Sequence, residues 1–191
     1  MLTRDGNCVL NQEEAMRAII EESWLKQPVW YKLYKTALVR DILFPKGKCH
    51  EDVFWSYQAV GSAKKVSVSD HVGYYYLQRG GSIMGAGYSL KRLNAVEAKV
   101  QRCTYIQEHF PALSPLAVKD LWITCIYQGQ LAMRTLGKAE AEKILAYFEN
   151  VIGTHPFQME GCSAKERLWL NMAKSSLVAA CRVRNALKIG L

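Results

Sequence analysis

Apolar residues recur at helical spacing along the chain, but in two zones of different texture. Over residues 1–88 the helical runs are short and are separated by turns that contain glycine or proline, whereas after residue 88 they are long. Asn11 with Glu14 forms the pattern of a capping box ahead of the first run. In this zone the spacing predicts three helices. The first begins after Asn11, the second is a short helix over 37–40, and the third covers 51–61.

Two segments between residues 64 and 78 have the composition of short strands. KKVSVSD (64–70) alternates valine with polar residues, and VGYYYLQ (72–78) is rich in tyrosine. The stretch QRGGSIMGAG that begins at Gln78 contains four glycines and predicts a mobile loop. We therefore expect a short sheet followed by a loop.

After residue 88 the pattern predicts four helices, over 89–109, 114–136, 138–151 and 163–188. Ser114 before Pro115 has the pattern of an N-cap, Gly137 that of a C-terminal stop, and Ser163 with Glu166 that of a capping box. A helical wheel gives the last helix a basic face and an apolar face. The basic face consists of Arg167, Asn171, Lys174, Arg182, Asn185 and Lys188, and the apolar face of Leu168, Met172, Ala179, Val183 and Leu187.

These elements predict an α+β fold that is predominantly α. Residues 1–88 form a small α/β part with a short sheet, and residues 89–191 form a helical bundle packed against it. A chain of 191 residues, half of them apolar, is long enough to bury a core. It has no apolar run of about 18 residues and begins with charged residues, so we expect a soluble, cytoplasmic protein.

Cysteine spacing and net charge narrow the classes of site and partner. The six cysteines are scattered, with no C-x-x-C pair, which favours reduced and mostly buried thiols over a zinc site. The net charge of +8 is concentrated after residue 88. Nucleic acid is not expected as a partner. The basic face of the last helix fits either simple packing by its opposite face or contact with the inner face of a membrane.

The adjacent carboxylates Glu51 and Asp52 allow two interpretations. Acidic residues are favoured in the first turn of a helix, where they face unpaired N–H groups and the positive end of the dipole. A carboxylate in the same position can instead be aimed at a bound hydroxyl and serve as a catalytic base. Spacing alone does not decide between these interpretations.

Three phrases around these carboxylates occur in a fixed order: V-W-Y-K-L-Y (29–34), F-P-K-G-K-C-H-E-D (44–52) and Y-Y-Y-L-Q-R-G-G-S-I (74–83). Together they resemble the second half of the catalytic domain of bacterial family-2 glycosyltransferases, which have a GT-A fold and build polysaccharides. The resemblance covers about residues 10–85. The helical zone from residue 89 resembles only the variable C-terminal extensions of such enzymes.

The resemblance implies the transfer of a sugar, with inversion, from a nucleotide sugar to an acceptor hydroxyl in the synthesis of a polysaccharide or cell-surface glycan. Asp52 matches the general base and Glu51 a supporting residue. The remaining matches are Gln78, Arg79 and Ser82 in the loop that approaches the donor diphosphate, and Trp30 and Lys32 at the wall of the acceptor site. Tyr31 is a departure, since asparagine is frequent at that position of the family. The resemblance also implies a glycan or lipid-linked acceptor in the complete enzyme, while no residue pattern here identifies that acceptor.

The family's nucleotide-binding half and its D-x-D motif are absent from this sequence. In the complete enzyme that motif holds Mg²⁺ or Mn²⁺ against the donor phosphates, so this chain is expected to hold no cofactor and to be inactive without a donor-binding half. A GT-A remnant without its parallel sheet exposes apolar surface, which makes a homodimer a further expectation. The alternative function is a non-catalytic helical module, or a partner of the membrane surface, that keeps the phrases only as scaffold.

Overall fold

The structure is a computed structural model that describes residues 7–22, 24–77 and 89–190. It is predominantly helical, with one small sheet. The strands are β1 (Cys8–Asn11) and β2 (Lys65–Val68), and the helices are α1 (Gln12–Glu21), α2 (Thr36–Val39), α3 (Glu51–Gly61), α4 (Leu93–His109), α5 (Ser114–Thr135), α6 (Lys138–Thr154), α7 (Ala164–Ser175) and α8 (Leu177–Ala186). The predicted fold class, α+β and mostly α, is confirmed.

The sheet pairs β1 with β2 in antiparallel register, with Cys8 opposite Val68 and Asn11 opposite Lys65. The strand predicted within 64–70 is confirmed, but the partner predicted at 72–78 is wrong. Over 72–77 the described chain forms no strand, and Gln78 lies outside the described residues. Tyr74 and Tyr76 of this segment pack against Trp30 instead of pairing in a sheet. The true partner, β1, is a four-residue segment too short to stand out by alternation.

The short helices of the first zone form largely as predicted. The Asn11 side chain accepts a hydrogen bond from the Glu14 N–H, and Glu14 accepts one from the Asn11 N–H, both at 2.9 Å. This reciprocal cap fixes the start of α1. The predicted short helix is α2, and α3 runs from Glu51 to Gly61.

The second zone packs around α5. This helix contacts α4, α6 and α8, and it buries Leu121, Trp122 and Cys125 almost completely. Gly129 allows close packing in the middle of α5, because a Cβ atom there would lie 2.9 Å from Leu145 and 3.0 Å from Cys181. One core cluster extends from Leu10 to Cys181 and joins side chains of both zones.

The predicted helix over 163–188 is wrong as a single element, because α7 ends at Ser175 and α8 begins at Leu177. Ser176 between them is extended (φ −163°, ψ 111°), and its hydroxyl accepts a hydrogen bond from the Ala179 N–H at 3.2 Å. The predicted apolar face is also wrong, on both sides of the interruption. Leu168, Val183 and Leu187 are exposed, whereas the buried side chains are Trp169, Leu170, Ala173, Leu177, Ala180 and Cys181.

Two predicted helix signals have other roles. A short 3₁₀ turn at Pro111–Leu113 leads directly into α5, so Leu113 is the N-cap, and the Ser114 hydroxyl is buried without a hydrogen-bond partner among the described residues. Gly137 was predicted as a C-terminal stop. It is instead the extended N-cap of α6 (φ −62°, ψ 152°), while α5 ends at Thr135 with Leu136 as its C-cap.

All six cysteines are free thiols, and four of them are buried, which confirms the expectation of unpaired, mostly buried cysteines. Burial raises the pKa of Cys103 to about 11 and that of Cys181 to about 12. Among the described residues, none of the helices has both the length and the apolar character needed to span a bilayer.

Candidate functional site

Asp52 lies in the first turn of α3, directly after a turn that reverses the chain. Gly47 (φ 77°) and His50 (φ 60°, ψ 37°) both adopt left-handed backbone conformations in this turn. His50 is the N-cap, but its side chain makes no capping hydrogen bond. Asp52 is half-buried, and one of its carboxylate oxygens accepts a hydrogen bond from the Val53 N–H at 2.9 Å. The turn and its hydrogen bond therefore hold the Asp52 carboxylate at the N-terminal end of α3.

The environment makes Asp52 a stronger base than an ordinary aspartate. Burial raises its pKa above the usual 3.8, and the neighbouring charge of Glu51 raises it further. The Val53 N–H and the charge of His50 act in the opposite direction and are weaker. Glu51 itself is exposed. Asp52 thus has an environment that favours acceptance of a proton more than that of an ordinary aspartate does.

The negative charge of Asp52 acts on the ammonium group of Lys32. Burial lowers the pKa of Lys32 to about 8, while the negative charges of Asp52 and Glu22 oppose that shift. Its ammonium group donates hydrogen bonds to the carbonyls of Lys26 and Pro28, both at 2.5 Å, and lies 3.9 Å from the centre of the Tyr31 ring. Lys32 is therefore tied to its own loop and fixes the backbone of the V-W-Y-K-L-Y phrase.

Trp55, three residues after Asp52, joins the first two phrases. The ring of Phe44 stacks on it, with centroids 4.9 Å apart and planes 8° apart, and Tyr34 meets it edge-on at 4.8 Å. The indole N–H donates to the carbonyl of Ile42 at 2.8 Å. Residues 34–44 are thereby packed against the helix that carries Asp52.

Trp30 joins the first phrase to the third. It stacks on Tyr76, with ring centroids 4.9 Å apart, and contacts Tyr74 at 4.7 Å. Trp30 is 45% exposed, and both tyrosines are exposed as well. These three rings form an aromatic face open to solvent.

The structure thus brings together Asp52, Lys32 and two groups that the sequence did not single out, Tyr34 and His50. Burial raises the pKa of Tyr34 to about 12, with a contribution from the charge of Asp52. Burial lowers the pKa of His50, against the effect of Asp52. The signal for both was their position inside the phrases, since Tyr34 ends V-W-Y-K-L-Y and His50 precedes E-D. The proposed donor-loop residues Gln78, Arg79 and Ser82 lie outside the described residues.

Two cavities lie away from Asp52. The larger, about 610 Å³, is lined mainly by apolar side chains of α4 and α6, including Leu93, Ile144 and Tyr147. The smaller, about 360 Å³, lies beside Trp122 and Phe157. Asp52 lines neither of them. The aromatic face of Trp30, Tyr74 and Tyr76 is an exposed surface that a large ligand can reach.

Comparisons of the chain with protein-family models, with curated proteins and with solved structures find no match. The function must therefore be inferred from the residues and the contacts described above.

Proposed function

We propose that this chain carries the acceptor side of an inverting glycosyltransferase site, with Asp52 as the general base. The observation that carries the proposal is the convergence of the three phrases. Tyr34 and Phe44 meet on Trp55, and Tyr74 and Tyr76 meet on Trp30. Segments as far apart as residues 30 and 76 thus meet on the phrase that contains Lys32 and Tyr34. The charge of Asp52, a half-buried carboxylate whose pKa is raised, acts on both of these residues.

In the proposed reaction Asp52 acts on the acceptor hydroxyl. The hydroxyl oxygen attacks the anomeric carbon of a nucleotide sugar, a new glycosidic C–O bond forms, and the bond from that carbon to the diphosphate breaks. The proton of the hydroxyl moves to Asp52, and the nucleoside diphosphate leaves with the bonding electrons. A carboxylate with a raised pKa holds that proton better than an ordinary aspartate, which favours the transfer.

The aromatic face suits the acceptor. The exposed rings of Trp30, Tyr74 and Tyr76 offer flat apolar surfaces on which the C–H face of a saccharide can pack. Lys32 has a positioning role, because its hydrogen bonds to the carbonyls of Lys26 and Pro28 fix the loop that carries Trp30.

The donor diphosphate is assigned to Gln78, Arg79 and Ser82, on the resemblance alone. A cation and hydroxyls there would stabilise the charge of the leaving group. Enzymes of this kind also use Mg²⁺ or Mn²⁺ at the donor phosphates. The described residues offer no group of three His, Cys, Asp or Glu side chains that could hold such an ion, so no step is assigned to a metal in this chain.

The test is nucleotide release from a panel of nucleotide sugars. The coding sequence upstream of Met1 is read first, and any in-frame segment with a D-x-D motif is included in the protein assayed. We expect release of nucleoside diphosphate that depends on an added saccharide acceptor. If no donor in the panel releases nucleotide, with or without such a segment, the chain is better described as a non-catalytic module in which Glu51 and Asp52 only begin a helix.

A further inference from the structure

Large apolar side chains are exposed along two segments, 30–44 and 72–77. Leu33 is fully exposed, Leu43 is 81% exposed and Tyr75 is 89% exposed. The other exposed members are Trp30, Leu38, Phe44, Val72, Tyr74, Tyr76 and Leu77. Proteins seldom leave so many large apolar groups open to water without an interaction that covers them.

Ring contacts hold parts of these two segments together. Tyr34 and Phe44, the chain neighbours of Leu33 and Leu43, both contact the buried ring of Trp55. Trp30 lies three residues from Leu33 and stacks on the tyrosines of the second segment. We call the exposed side chains of 30–44 and 72–77 the aromatic–aliphatic surface.

The chain around this surface is strongly basic. Residues 26–48 contain six lysine or arginine residues and a single acidic one, Asp41. Lys35, Arg40 and Lys46 are exposed, and none of them is ion-paired with a described carboxylate. Unpaired cationic side chains beside exposed apolar groups complement a partner surface that is negatively charged and has an apolar layer.

We propose that the aromatic–aliphatic surface docks on an anionic lipid membrane. Tyrosine and tryptophan rings favour the level of the lipid headgroups, leucine side chains enter the acyl boundary, and the cations contact lipid phosphates. Single-stranded nucleic acid would also attract cations and aromatic rings. It would leave the aliphatic side chains of Leu33, Leu38 and Leu43 in water, and therefore lipid is the better match.

A second surface provides the matched control. Leu168 of α7 and Leu187, the C-cap of α8, are 55% and 61% exposed, and each is next in sequence to a basic residue, Arg167 and Lys188 respectively. It has fewer and less exposed apolar groups than the aromatic–aliphatic surface. A chain that binds lipid through its most apolar basic surface will therefore use Leu33 and Leu43 in preference to Leu168 and Leu187.

The experiment is flotation of the chain with vesicles of phosphatidylcholine alone and of phosphatidylcholine with about one third phosphatidylglycerol. We expect binding to the anionic vesicles. The double variant Leu33→Asn/Leu43→Asn should weaken the partition at least about tenfold, since it removes two apolar groups from the interface. Lys35→Gln/Lys46→Gln should weaken it about fivefold per charge removed. Leu168→Asn/Leu187→Asn should leave it within about twofold.

Several results would overturn the proposal. One is that the unmodified chain floats with neither kind of vesicle. Another is that Leu168→Asn/Leu187→Asn loses binding to the vesicles whereas Leu33→Asn/Leu43→Asn keeps it. Binding of single-stranded nucleic acid in place of vesicles, or a dimer that Leu33→Asn/Leu43→Asn dissociates, would assign the surface to another occupant. Equal thermal midpoints of all variants show that folding is not the cause. The proposal does not depend on the proposed transferase function, although the surface includes Trp30, Tyr74 and Tyr76, which that function assigns to the acceptor.

Discussion

A single side chain, Asp52, is placed where two physical effects oppose each other. Its position in the first turn of α3 favours the negative charge, because unpaired N–H groups and the helix dipole face it. Burial and the charge of Glu51 disfavour the same charge and raise the pKa. Glu51, at the start of the helix, is the more exposed of the two. Side chains whose surroundings disfavour their charged form are common at functional sites.

Lys32 gives a pH dependence whose sign can be tested. Its pKa is lowered from 10.5 to about 8, so between these values the unfolded chain holds more protons than the folded chain. The free energy of unfolding should therefore contain a component that increases as the pH rises from about 8 towards 10.5. Lys32→Met removes this component.

The measurement is urea unfolding of the unmodified chain, Lys32→Met and the exposed-site control Lys35→Met at several pH values in that window. Buried thiols and tyrosines also titrate in alkaline solution, with the opposite sign, but they are common to all three proteins. Lys35→Met should follow the unmodified chain. A Lys32→Met protein whose stability changes with pH in parallel with the other two would show that Lys32 is not desolvated.

At the scale of elements, sequence patterns located most helices because their signals are local. The Asn11–Glu14 and Ser163–Glu166 capping boxes are both present in the structure. The prediction from local patterns was wrong between α7 and α8, where a serine side chain competes with the hydrogen bonds of a continuous helix. Ser175 and Ser176 were treated as helical positions on a wheel, yet the hydroxyl of Ser176 caps a new helix, and serine offers the backbone such an alternative wherever it occurs.

The capping box of α7 should be measurable in stability. Glu166 accepts from the Ser163 N–H at 2.8 Å, and it also pairs with Lys119 of α5 at 2.9 Å, which links the helix start to the bundle. Ser163→Ala should lower the free energy of unfolding by about 1 kcal/mol. Ser175→Ala, at an exposed position with no cap, should change it by less than about 0.5 kcal/mol. Equal effects of the two substitutions in urea unfolding would contradict the role of the cap.

At the scale of the molecule, the bundle depends on one buried charge cluster. Arg102 of α4 is completely buried, and its guanidinium donates to Asp120 of α5, which also pairs with Lys99 at 2.6 Å. The Nε and Nη1 atoms of Arg102 have no hydrogen-bond partner among the described residues. The charge of Arg102 is therefore balanced by a single carboxylate, which Lys99 shares.

Asp120→Asn should accordingly destabilise the whole chain. Removing one partner leaves a buried charge uncompensated, which typically costs about 3–5 kcal/mol. The matched control is Glu97→Gln, which breaks the exposed pair with Lys48 and should cost no more than about 1 kcal/mol. Urea unfolding followed by circular dichroism measures both. An Asp120→Asn cost as small as that of Glu97→Gln would mean that water or a shift of the side chain solvates Arg102.

The whole molecule also shows where prediction from sequence reaches its limit. The fold class and most helices follow from local patterns, but the pairing of β1 with β2 joins residues almost 60 positions apart and has no local signal. The convergence on Trp55 and Trp30 is similarly a product of tertiary packing. The order of the three phrases indicated that they belong together, whereas only the structure shows which rings make the contacts.

The central claim is that Asp52 is a catalytic base, and sugar transfer by Asp52→Asn tests it most directly. The rate is measured beside the unmodified protein and the exposed control Asp70→Asn, with a donor and acceptor taken from the nucleotide-release panel. We predict that Asp52→Asn lowers the rate by about 10²–10⁴-fold while its thermal midpoint stays close to that of the unmodified protein, and that Asp70→Asn keeps the rate. Near-normal turnover by a folded Asp52→Asn protein would contradict the account.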